Sequence, residues 1–338
     1  MLRTYFRADD RLRAAAVSEI AAPSPDADVV ADVQPAVIWY DLVDPSLAES
    51  RHVEASLGVT LPSRDEMEDI ELSARLYQEN GAEFMTMTAL TNLDGDEPMK
   101  TAVTFILTDS ALATLRYGES RPFAAFAARA VRGNGQSFQN AELVMLGLVE
   151  AMVDRMADVL ERIGNEIDGI SRSIFRAKAA RSNKKQQDLQ SLIEQLGQKG
   201  DFLSGIRESL VSVTRLVAYH AATENPGRRS GKEARQMIKL LGRDATSLGD
   251  HAAFLSGKIN FLLDATLGLI NLEQNQIIKI FTVASVVFLP PTLVASVYGM
   301  NFQLMPELQW SLGYPWAIVL MIASAALPFL YFKRRGWL

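Results

Sequence analysis

The 338-residue chain sets 40 Asp and Glu against 34 Lys and Arg, a formal net charge of −6. That balance argues against a nucleic-acid partner, which needs a basic face, and the absence of cysteine excludes disulfides, thiolate metal sites and cysteine nucleophiles. Hydrophobic residues make up 48% of the chain, with a mean hydropathy of only +0.05, so their distribution rather than their number must decide the class.

The N-terminus soon reaches Asp9, Asp10, Arg11 and Arg13 and offers no continuous apolar core for a cleaved signal peptide. The large N-terminal part is therefore expected in the cytoplasm. Residues 1–135 read as a mixed α/β domain, with strand-like runs at 36–43, 83–93, 101–108 and 111–116 and helices at 47–57 and 64–75. Ala22-Pro23-Ser24-Pro25 and Arg132-Gly133-Asn134-Gly135 read as flexible joints.

Residues 136–276 read as a helical stalk region. Leu146, Val149, Val153, Met156, Leu160, Ile163, Ile167, Ile170 and Ile174 recur at steps of three and four, the mark of a long amphipathic helix. The basic stretch from Arg176 to Lys185 turns the chain, a second helix runs from Gln186 to about Thr223, and Asn225-Pro226-Gly227 closes it. From Lys232 no proline occurs until Pro290, and Leu241, Leu248, Leu255, Leu262 and Leu269 recur every seven residues. A continuous helix here is about 85 Å long, so it is expected to run from a stalk straight into a membrane span, with Gly242, Gly249, Gly257 and Gly268 as candidate bends.

Two apolar runs follow. Residues 277–297 carry one charge, Lys279, and residues 315–332 carry none before Lys333, Arg334 and Arg335. Each is long enough to cross a bilayer, and the flanking cations place both ends of the hairpin, and the tail 333–338, on the cytoplasmic side. The link 298–314 then faces outside, with Glu307 and no Lys or Arg, which suits an entry that attracts cations. Thr282, Ser285, Thr292 and Ser296 fall within an arc of about 80° on the first span. That stripe fits either helix packing through hydroxyls or the wall of a wet pore. Two spans cannot enclose such a pore, so conduction requires a homo-oligomer. The Pro290-Pro291 pair frees backbone carbonyls, which fits a pore-lining helix or a packing kink.

The run Tyr298-Gly299-Met300-Asn301-Phe302, followed by Met305-Pro306-Glu307-Leu308, Gly313-Tyr314-Pro315 and Lys333-Arg334-Arg335, resembles the CorA family of magnesium transporters, within the two-span Gly-x-Asn superfamily. Asn275-Gln276-Ile277-Ile278-Lys279-Ile280-Phe281 and Phe288-Leu289-Pro290-Pro291-Thr292 extend the likeness. Trp39-Tyr40-Asp41-Leu42 and Glu68-Asp69-Ile70-Glu71 carry it more weakly over most of the chain.

The resemblance implies an α+β membrane protein: an N-terminal α/β domain, a long helical stalk continuing into the first of two C-terminal spans, and a funnel-shaped homopentamer in the bacterial inner membrane. It implies influx of Mg²⁺, with Co²⁺ and Ni²⁺ also passing, through a filter of Gly299, Met300 and Asn301. Asn275, Ile278, Phe281, Ser285, Leu289 and Thr292 would line the path, with Ile278, Phe281 and Leu289 as its hydrophobic constriction. Regulatory Mg²⁺ bound between subunits would close the pore, the nearest candidate ligands being Asp94, Asp96, Asp244 and Asp264. The zinc-transporting branch of the superfamily is the alternative; Met300 favours the magnesium branch, since the zinc branch tends to carry isoleucine there, and His52, His220 and His251 lie far from the pore in sequence. No GxxxxGK[ST] or HExxH pattern suggests ATP use or metalloenzyme chemistry, and no organic cofactor is expected.

Overall fold

The computed structural model describes residues 1–8, 11–14, 37–69, 71–93, 95, 98–132, 138–176, 184–223, 231–301 and 305–337. They fall into two compact units, one of Met1–Lys178 with Leu192–Asn260 and one of Ala179–Ser191 with Phe261–Leu338.

The first unit is built on a seven-stranded sheet of β1 (Leu2–Ala8), β2 (Arg11–Ala14), β3 (Val37–Val43), β4 (Leu76–Glu79), β5 (Ala82–Thr91), β6 (Met99–Leu107) and β7 (Leu112–Arg116), in the order β2-β1-β3-β7-β6-β5-β4. β3 and β7 run parallel, and the other neighbours are antiparallel. Both faces are covered, which is why the central strands read as apolar runs rather than as alternating ones. Tyr40, Leu42, Phe84, Ile106 and Leu115 on one face join Val53 of α1 (Leu47–Leu57) and Met67 of α2 (Arg64–Glu68) in a buried cluster. On the other face Trp39 and Phe105 meet Phe123 of α4 (Arg121–Arg132), and Trp39 also meets Phe126.

Local chemistry sets the element ends. Ser46 and Glu49 form a reciprocal capping box at the start of α1, and Gly58, at φ 70°, ends it in the left-handed region. The helix expected over 64–75 is instead two pieces, α2 and α3 (Leu72–Arg75). Asp69 is extended at ψ 143°; its carboxylate accepts from the Glu71 N–H at 3.2 Å, and its carbonyl accepts from Arg75 Nε. Such a local side-chain bond competes with helical continuation. β1, β2, β4 and α4 are additions to the expected elements.

Three long helices complete the fold: α5 (Ala141–Arg176), α6 (Lys184–Ala222) and α7 (Lys232–Tyr298). α7 is a single helix through Gly242, Gly249, Gly257, Gly268, Pro290 and Pro291. The expected joints at 22–25 and 133–135, and the closing Asn225-Pro226-Gly227, lie outside the described residues. A short 3-10 turn (Pro306–Gln309) precedes α8 (Gly313–Arg334).

A buried ionic network stiffens the sheet. Arg116 Nη2 donates to Asp41 Oδ2 at 2.8 Å, Thr114 Oγ1 donates to Asp41 Oδ1 at 3.0 Å, and Trp39 Nε1 donates to Thr114 Oγ1 at 2.9 Å. Arg116 also donates to the Gly118 carbonyl and lies over the Phe123 ring. Burial raises the Asp41 carboxyl above its usual range, and the Arg116 charge and the bonds to it oppose that rise.

Candidate functional site

Among the described residues, two helices are long and apolar enough to cross a membrane, α7 and α8, and only 6% of the apolar window of each is buried. A core helix of a soluble protein would be mostly covered, so these surfaces call for another apolar environment.

The covering on the apolar part of α7 is one-sided. Between residues 274 and 297 the buried or half-buried positions are Val283, Ala284, Val287, Pro290, Pro291 and Val294. At 100° per residue they span about 120° of the helix. Asn275, Ile278, Phe281, Ser285, Leu289 and Thr292 span another arc of about 120°, centred diametrically opposite, and all six are exposed. Ile278 is 61% exposed, Phe281 69% and Leu289 66%, values that place these large apolar side chains wholly outside the packing of one chain. The structure thus brings the six expected path residues onto one face.

The hydroxyls on that face have their protons engaged. Thr282 Oγ1 donates to the Ile278 carbonyl at 2.7 Å, Ser285 Oγ to Phe281 at 2.9 Å and Thr292 Oγ1 to Phe288 at 2.8 Å. Each thereby turns lone pairs, not protons, away from the helix. The two prolines cannot donate to the Val286 and Val287 carbonyls, which adds acceptor capacity at the same level.

α7 ends at Tyr298, and its last turn is tightened by the Gly299 N–H donating to the Ala295 carbonyl at 2.9 Å and the Met300 N–H to the Val297 carbonyl at 3.3 Å. A Cβ on Gly299 would sit 3.1 Å from that Ala295 oxygen, closer than ordinary contact, so glycine fits this exit without displacing the turn. Gly299, Met300 and Asn301 are all exposed. Glu307 lies in the 3-10 turn, its side chain outside what is described.

The acids named for regulation are less gathered. Asp244 and Asp264 are both exposed and stand twenty residues apart on α7; Asp94 and Asp96 lie outside the described residues. Among the described residues no group of three or more His, Asp or Glu is placed to hold a metal ion. The oxygen chemistry suits Mg²⁺, and the two described acids, twenty residues apart on one helix, stand about 30 Å from each other.

Sequence reading did not foresee the role of His220. It is buried at the meeting of β5, α5 and α6, with Nδ1 at 2.6 Å from Glu83 Oε2 and Nε2 at 3.1 Å from Glu142 Oε1. Burial lowers its pKa, but the hydrogen bonds and charges of Glu142 and Glu83 outweigh that and raise it above the usual histidine value. Both ring nitrogens then donate. His251 is exposed on α7 and stacks near Phe254, ahead of the apolar run, so neither histidine is among the residues of that run.

Relatives similar along most of this chain are named magnesium transport proteins. A family model described as CorA-like Mg2+ transporter protein matches residues 35–334. The magnesium transport protein CorA of Pectobacterium atrosepticum is 39% identical over 304 residues, covering 90% of this chain and 92% of its own. That of Escherichia coli K12 is 38% identical over 311 residues, covering 91% and 95%. The solved CorA magnesium transporter of Methanocaldococcus jannaschii shares the fold, with a TM-score of 0.77 over 100% of this chain and 99% of that one at 17% identity. The chain belongs to the CorA-like Mg2+ transporter family, a family of transporters and not of enzymes.

Proposed function

We propose that this chain forms a homopentameric pore through which hydrated Mg²⁺ enters the cell, with Co²⁺ and Ni²⁺ as further cargo. The observation that carries the reading is the exposed face of α7, opposite its covered side and leading to Gly299-Met300-Asn301. Around a symmetry axis that face becomes the wall of a path, and residues 277–297 and 315–332 become the spans, 298–314 the external link. Residues 1–135, the stalk 136–276 and the tail 333–338 stay in the cytoplasm, at the inner membrane.

Mg²⁺ holds its octahedral water shell tightly, so a site that strips it is slow. A hydrated ion presents water protons outward, and acceptors rather than donors must meet them. Rings of Asn301 amide oxygens and Gly299 carbonyls do this at the mouth, and the lone pairs of Ser285 and Thr292 continue it inward. Neutral oxygens bind weakly enough to release the ion. Glu307 draws cations to the entrance. Ile278, Phe281 and Leu289 close the path by excluding water. A double charge gains roughly 4.6 kcal/mol per 100 mV on moving inward, so the membrane potential suffices as energy source. Cytoplasmic Mg²⁺ bound between copies by Asp244 and Asp264, with Asp94 and Asp96, is the regulatory part of the reading.

The test is ion uptake by liposomes containing the purified protein, comparing Mg²⁺, Co²⁺, Ni²⁺ and Zn²⁺ at fixed voltage, with and without a pH gradient. Voltage-driven Mg²⁺ uptake is expected. Zinc uptake that needs the proton gradient would transfer the chain's function to the zinc branch.

A further inference from the structure

α8 ends in a chain reversal that its sequence dictates. Gly336 adopts φ 70°, in the left-handed region where a side chain is strained. Its N–H donates to the Lys333 carbonyl at 3.2 Å, and the Trp337 N–H donates to the Phe332 carbonyl at 3.1 Å. This pair of bonds is a Schellman motif, which brings the residue after the left-handed position back onto the last helical turn. Trp337 accordingly stacks on Phe332, centroids 5.2 Å apart. Lys279 Nζ, from the start of the apolar run of α7, lies 5.9 Å from the centroid of the same indole, within cation–π reach.

The folded-back tryptophan therefore ties the two apolar helices at one end, with Lys279 over its ring and Lys333, Arg334 and Arg335 in the turn that leads into the reversal. All four cations are exposed. No acidic residue occurs between Glu273 and Glu307, nor after Glu307. Arg335 also lies 5.6 Å from the Tyr331 ring. Amphipathic Trp and Tyr rings prefer the headgroup level of a bilayer, and four clustered cations beside a span attract anionic lipid.

We propose that Lys279, Lys333, Arg334 and Arg335, at the helix end that Trp337 ties together, bind the phosphate of an anionic phospholipid headgroup on the cytoplasmic leaflet. The lipid bridges α7 and α8, so its presence fixes the lower end of the pore-facing helix. A free phosphate offers the same charge but lacks acyl chains beside Phe332 and Tyr331, and the lipid is the occupant this combination of cations and rings fits. The proposal rests on the reading of α7 and α8 as membrane spans.

The test is binding of dioctanoyl phosphatidylglycerol to the full-length protein in neutral detergent, by calorimetry, against dioctanoyl phosphatidylcholine and inorganic phosphate. Phosphatidylglycerol is expected to bind at least about tenfold more tightly than phosphatidylcholine, with millimolar phosphate failing to displace it. Lys279→Gln with Arg335→Gln should abolish the preference, and Gly336→Ala, which disfavours the reversal, should weaken it. Lys279→Arg should retain it. Equal affinity for the two lipids, or a preference untouched in the double variant, would overturn the proposal; so would displacement by free phosphate. Mg²⁺ flux measured on the same protein after reconstitution into liposomes separates the two claims, since a conducting protein without lipid preference refutes only this one, and a lipid-binding protein without flux refutes only the transport reading.

Discussion

The Ser285 hydroxyl donates to the Phe281 carbonyl oxygen one turn earlier, at 2.9 Å. Its proton is thus held within α7, and what it turns outward is an acceptor. This geometry makes the exposed face of α7 suited to the protons of an ion's hydration water. Replacing Ser285 by Ala should lower Mg²⁺ flux by about two- to tenfold, the range expected for one neutral hydrogen bond, with helical content by circular dichroism unchanged. Ser285→Thr keeps the hydroxyl and should keep the flux. Equal flux in the alanine variant would remove the hydroxyl from the conduction path.

Phe281 and Leu289 lie on the same face and are apolar. If they close the path by dewetting, a polar side chain at one of them should let water in. Phe281→Ser is expected to raise Mg²⁺ leak at millimolar internal Mg²⁺ by about tenfold or more. A leak no larger than that of the unaltered protein would place the closure elsewhere.

The Asp41 carboxylate is the charge partner of Arg116 inside the sheet. Asp41→Ala leaves the buried guanidinium with only the exposed Glu119, 3.7 Å from Arg116 Nη1, as counter-charge, and loss of the buried partner costs about 3–5 kcal/mol. Thermal unfolding of the detergent-solubilised protein should fall by on the order of ten degrees. Asp41→Asn, which preserves hydrogen-bonding oxygen, should fall less.

His220 carries a pH dependence whose sign follows from its raised pKa. The folded state holds the proton more tightly than the unfolded chain. Its stabilising contribution is complete below the unfolded value, about 6.5, and is lost as pH rises through the higher folded value. The unfolding midpoint should therefore decline as pH is raised across that window, and His220→Gln should flatten the decline. A variant with the same slope as the unaltered protein would exclude His220 as its source.

Some of this was legible in the sequence, and the reasons differ by element. α1 announces itself through Ser46, Glu49 and Gly58, residues whose roles are local. Asn275, Ile278, Phe281, Ser285, Leu289 and Thr292 are named by the resemblance, while spacing by itself aligns the hydroxyls of Thr282, Ser285, Thr292 and Ser296. β1 hides because Arg3 and Arg7 interrupt its apolar pattern; the structure shows them reaching to Glu119 and to the Gln139 carbonyl. α4 did carry a signal, with Phe123, Phe126 and Ala130 at helical spacing, but among three arginines and five alanines it is easily passed over. The meeting of Glu83, Glu142 and His220 could not be read, because residues from three distant elements share no spacing. Trp337 offered one clue, a glycine directly after a helix-ending basic run.

Conduction of hydrated Mg²⁺ is proposed to follow the exposed face of α7 and the exit at Gly299-Met300-Asn301. It is tested most directly by Mg²⁺ uptake into vesicles holding an inside-negative potential, with the unaltered protein and with Asn301→Ala side by side. Uptake should grow with the potential and fall at least about tenfold in the variant. No uptake by the unaltered protein, or equal uptake by the variant, would contradict it.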